Sequence, residues 1–69
     1  MLKVSKQEFQ KFIFQHRLEH CGFSSPMPEH GFTDTKEHYG NYDGDTAEYV
    51  KNADGTEEFY IFKQPTPTG

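Results

Sequence analysis

The stretch FQHRLEHCGF, residues 14–23, gathers two of the four histidines, the one cysteine and two phenylalanines into ten positions. These residue types ligate metals or serve as nucleophiles, so they pose the first chemical question. On a helix, His16 and His20 stand four apart and project from one face, a spacing that lets two imidazoles share an ion. Cys21 points away from both, so His30 or His38 would have to complete a zinc shell. Structural zinc sites usually include a close pair of cysteines, and this chain has one cysteine in all. The simpler expectation is that both histidines lie on the buried stripe of a helix and that the chain holds no metal or cofactor.

Other chemistries fit less well. NYDGDTAEYVKN, residues 41–52, alternates oxygen ligands as a calcium loop does, but Thr46 stands where glycine is needed and Asn52 where glutamate is needed. A cysteine at the negative end of a helix is poorly placed as a thiolate nucleophile. Glu48 and Glu58 could form an acid–base pair, yet strand carboxylates without a pocket are ordinarily a solvated face. The expectation is therefore a non-enzymatic protein with no catalytic residues.

The elements that would carry these residues can be read from local signals. Ser5 followed by Glu8 is a reciprocal capping box, and Val4 can staple to Phe9 across the cap. Gly22 suits a left-handed helix end, with Phe23 packing back onto Leu18. The spacing predicts a helix over Lys6–Cys21. Phe9, Phe12, Ile13, His16 and His20 form its core stripe. Phe14, Leu18 and Cys21 form a second ridge, which a loop or a second copy of the chain could bury.

Two prolines around Met27 break regular structure. A weak strand is expected over Phe32–Tyr39, then a turn at 40–45. NADG, residues 52–55, marks a three-residue hairpin loop with a bulge. That register pairs Lys51 with Glu57, Tyr49 with Phe59 and Ala47 with Ile61, which leaves one face apolar. The expected fold is α+β: one N-terminal helix packed on a three-stranded antiparallel sheet, in the order α-β-β-β. Residues 1–63 form one small domain, and 64–69, QPTPTG, form a flexible tail.

Composition narrows the function. The chain has 69 residues, 32% of them apolar and 16% aromatic, so its core depends on a few large rings. The net charge is −4. Residues 1–28 carry four basic side chains against two acids, whereas residues 29–69 carry nine acids against three lysines. Direct nucleic-acid binding is disfavoured, because phosphates demand lysine and arginine. One cysteine cannot close an internal disulfide, no apolar run spans a bilayer, and the N-terminus turns polar too early for a signal peptide. The expected compartment is the cytoplasm, without membrane association.

The remaining constellation is acidic and aromatic. On the bulged register, Glu48, Glu58, Tyr60 and Phe62 share the sheet face away from the helix, with Asp43 and Asp45 at its edge. Rings supply contact area while carboxylates attract lysine and arginine. The expected partner is a larger protein with a basic surface, and the sharpest version is an inhibitor that mimics nucleic acid, such as a phage or mobile element carries. The alternatives are a homodimeric structural or regulatory module built on Phe14, Leu18 and Cys21, or the histidine-based zinc domain.

Overall fold

In the computed structural model, residues 1–31 and 33–63 are described. The tail expected at 64–69 lies outside them, as does Phe32. The chain opens with a short strand β1 (Leu2–Val4), then a helix α1 (Lys6–His16). Strands β2 (Glu19–Ser24), β3 (Thr35–Gly40), β4 (Thr46–Lys51) and β5 (Glu57–Phe62) follow. A single 3-10 turn, Pro28–His30, interrupts the connection between β2 and β3. The spatial order is β1-β5-β4-β3-β2, with every neighbouring pair antiparallel. The sheet therefore has five strands, not the three expected, although the α+β class holds.

One extra strand comes from residues with no expected element beyond the Val4 staple, the other partly from the expected helix. Leu2, Lys3 and Val4 alternate and pair with Ile61, Tyr60 and Phe59. The C-terminal part of the expected helix is strand β2. The helix starts as anticipated, with the Ser5 hydroxyl accepting from the Glu8 amide at 3.2 Å. It stops five residues earlier than expected. Arg17 takes a left-handed conformation, φ 54°, and the Leu18 amide donates to the Ile13 carbonyl at 3.0 Å, the long bond of a Schellman end.

Leu18 then packs inward beside Ile13. The hydrophobic contact that usually accompanies such a cap is thus made by Leu18, not by Phe23. The chain pairs Glu19 with Gly40 and continues along β3 with a bulge between His20 and Gly22.

The β4–β5 hairpin adopts the anticipated register, from Lys51–Glu57 through Tyr49–Phe59 to Ala47–Ile61. Gly55 at φ 90° allows the bulged loop, closed by Asn52 N–H to the Thr56 carbonyl at 2.8 Å. Helix α1 lies on the face that these odd-numbered residues share. Phe9, Phe12, Leu18, Ala47 and Phe59 form the buried cluster, with Val4, Ile13, Tyr39, Tyr49 and Ile61 packed against it. The Phe9 ring meets Tyr39 edge-on at 5.8 Å and Phe59 at 5.1 Å.

Arg17 is the one non-glycine residue with positive φ among the described residues. A Cβ in that region costs roughly 1–2 kcal/mol. Arg17→Gly is therefore expected to raise stability by about 1 kcal/mol, read from urea unfolding of the dilute protein. A loss of similar size would be the outcome for a helix running through this position, where glycine is unfavourable.

Candidate functional site

Because side chains alternate along a strand, the five-stranded sheet has a second face turned away from α1. Its centre is Glu48, Glu58 and Tyr60, since Glu48 pairs with Tyr60 across β4 and β5 and with His38 across β3 and β4. Lys3 enters from β1 opposite Tyr60, and Lys36 from β3 opposite Val50. Phe62 stands opposite Thr46 and is 41% exposed. Val50 is 6% exposed, although it belongs to the face without the helix. Its cross-strand neighbours are Lys36 and Glu58, whose stems can cover it.

The carboxylates on this face are engaged. Glu58 accepts from the Tyr60 hydroxyl at 2.7 Å and from Asn52 Nδ2 at 3.0 Å, and Lys3 Nζ lies 3.4 Å away. The Tyr60 bond, then Asn52 and Lys3, hold the Glu58 carboxyl below its usual range. The same bond pushes the Tyr60 hydroxyl up, reinforced by burial and by the charges of Glu58 and Glu48. Glu48 faces His38 Nδ1 at 3.5 Å. The face thus combines two acids, two lysines, a histidine and two rings, where sequence reasoning foresaw acids and rings alone.

The two edge aspartates part company. Asp43 is exposed in the turn between β3 and β4. Asp45 is 6% exposed and points inward, with Oδ2 3.1 Å from Asn41 Nδ2 and 3.3 Å from His16 Nδ1. Asn41 organises this turn: its Oδ1 accepts from the amides of Asp43 at 2.9 Å and Asp45 at 3.0 Å, while Nδ2 also reaches the His16 carbonyl at 2.8 Å. Asp45 is a structural residue of the helix–turn junction and does not join an outward acidic rim.

The histidines are dispersed by the early end of α1. His16 stays on the helix and stacks on Phe12 at 4.3 Å. His20 sits on β2, edge-on to Tyr39 at 5.2 Å, with Nε2 3.4 Å from Glu37. The shared helical face that would have let His16 and His20 ligate one ion does not form. Among the described residues no group of three or more His, Cys, Asp or Glu is placed to hold a metal.

The expected ridge of Phe14, Leu18 and Cys21 is also divided. Leu18 is in the core at 8% exposure, Phe14 is 84% exposed on α1, and the Cys21 sulfur lies on β2 beside Gly40. On the helix side of the sheet, Tyr49 donates to Glu57 at 2.5 Å. That bond, with burial and the charges of Glu57 and Glu37, pushes the Tyr49 hydroxyl up to about 12.

Lys3, Lys36, His38 and Asn52 joined the site unforeseen. The apolar–lysine–apolar alternation of Leu2-Lys3-Val4 was the available signal for β1, but three residues are too short a run to read as a strand. Comparison with protein-family models, with curated proteins and with solved structures gives no match in any of the three. No helix of the described residues is long and apolar enough to cross a membrane.

A lowered carboxyl pKa favours the folded state above the unfolded value and loses that contribution as pH falls through the folded value. Glu58→Gln is therefore expected to destabilise the protein at neutral pH. The gap to the parent should close as pH drops below the ordinary glutamate range, about 4.3. Parallel thermal melts between neutral and strongly acidic pH measure it. A gap that persists unchanged in acid would assign the loss to packing.

Proposed function

We propose that the protein is a non-enzymatic binding module whose open sheet face docks on a basic surface of a larger protein. The observation that carries this reading is the composition of that face. Tyr60 and Phe62 offer rigid contact area, and Glu48 is partly exposed beside them with Asp43 exposed in the adjoining turn. Interfaces gain most from aromatic anchors, while surrounding charges set orientation and association rate. The acid excess of residues 29–69 adds long-range attraction toward a cationic partner.

The pairings within the face refine the division of labour. Lys3 partly neutralises Glu58, which makes Glu58 a positioning group for Tyr60, and an incoming lysine or arginine would share Glu48 with His38. The sharper form of the proposal is an inhibitor that occupies a nucleic-acid-binding surface, with carboxylates in place of phosphates and rings in place of bases. It acts in the cytoplasm, and its antagonist role suits a phage or mobile element.

A photo-crosslinking amino acid at Phe62, compared with one at Gln10 on the outer side of α1, tests the docking face in cells of the source organism. Phe62 should capture a protein with a basic surface, and Glu48→Lys should cut capture by roughly tenfold or more. Raising salt from about 0.05 to 0.5 M should weaken it similarly. Capture from Gln10 alone, or capture indifferent to Glu48→Lys and to salt, would contradict the proposal.

A further inference from the structure

The two edges of the sheet are treated differently. β1 is three residues long and carries Lys3, features that discourage another strand from pairing. β2 is six residues long, contains neither lysine nor proline, and is exposed at every position but Gly22. Among the described residues no strand lies beside its outer row of amide and carbonyl groups, because β2 ends the sheet order. The bulge at Cys21 limits regular pairing to a few residues around Gly22, so side chains at the two ends must supply the rest of any interface.

Those ends are complementary to each other. At the N-terminal end of β2, Arg17, Glu19, Cys21 and Tyr42 line a groove of about 300 Å³. At the C-terminal end, Ser24, Met27, Asp34 and Lys36 line a second groove of about 340 Å³. Each end carries one basic and one acidic side chain, so antiparallel apposition of two copies sets Arg17 toward Asp34 and Glu19 toward Lys36. Three exposed apolar or aromatic side chains also collect along this edge: Phe23 at 56%, Met27 at 48% and Tyr42 at 107%. Tyr42 in one groove would meet Met27 in the facing groove.

We infer that β2 is a homodimer edge: two copies pair β2 against β2 antiparallel, about a two-fold axis perpendicular to the sheet near Gly22. The contact is isologous, so each complementary pair occurs twice. It joins two five-stranded sheets into one of ten strands and caps both exposed edges. The axis direction keeps the two open faces on the same side, so the dimer presents two docking surfaces together. The inference does not depend on what those surfaces bind.

Sedimentation equilibrium of the untagged chain under reducing conditions tests it. The expected result is a reversible dimer at about 100 µM protein. Phe23→Lys should give a monomer with unchanged far-UV dichroism, whereas Phe14→Lys should remain a dimer. Glu19→Lys should weaken association by roughly tenfold or more, and adding Lys36→Glu should recover it. A monomeric parent, a dimer indifferent to Phe23→Lys, dissociation by Phe14→Lys, or a charge swap that fails to recover would each overturn the inference.

Discussion

The side chain of Asn41 holds the junction on which the rest of the fold depends. Its amide nitrogen binds the last helical carbonyl, at His16, and the Asp45 carboxylate, while its oxygen collects two amides of the β3–β4 turn. One residue thereby closes the turn and fixes the helix end to it. Buried polar groups need partners, and the partners here are mutual: the helix end, the turn and Asp45 satisfy one another. With the helix stopped at that point, Leu18 turns into the core and the next six residues become free to form the far edge of the sheet.

This arrangement also explains the route of the chain. β1 and β2 run parallel to each other at opposite edges, and α1 crosses the sheet between them. Three strands then return across the same sheet as an antiparallel meander. The helix covers the middle of one face with Phe9 and Phe12, while among the described residues no helix covers the other. A small domain of two layers leaves one sheet face to solvent as a matter of geometry. The face left over here carries two paired acids and two aromatic rings, and the proposed docking rests on that composition.

Much of the fold was legible because local and tertiary preferences agreed. The Ser5–Glu8 cap, the Phe9–Phe12–Ile13 stripe and the Asn52–Gly55 loop each point to one conformation. The far end of the helix was misread because two signals competed. Gly22 is the residue that sequence rules favour for a left-handed helix end, whereas Arg17 takes that conformation at a steric cost. What offsets the cost is not local: it includes burial of Leu18 and the bond from Asn41, which lies 25 residues from His16.

The same error propagated to the site. His20 and Cys21 left the helix face to which helical periodicity had assigned them, and the candidate zinc pair and contact ridge disappeared with it. Asp45 looked like one more surface acid, because nothing in its neighbours in sequence announces His16 beside it. The hairpin register, in contrast, placed Glu48, Glu58, Tyr60 and Phe62 on one face correctly, since turn chemistry and alternation together leave little freedom.

The chain leaves the helix at Arg17 and runs as a strand from Glu19, and both the sheet edge and the dispersal of the histidines follow from that. Nuclear Overhauser contacts between backbone protons of residues 16–24 and 36–40, in an isotopically labelled sample, test it most directly. Cross-strand contacts from His20 to Tyr39 and from Phe23 to Glu37 are the expected result. Helical contacts continuing from Arg17 to His20 and from Leu18 to Cys21 would contradict it, and would restore a single helical face bearing both histidines.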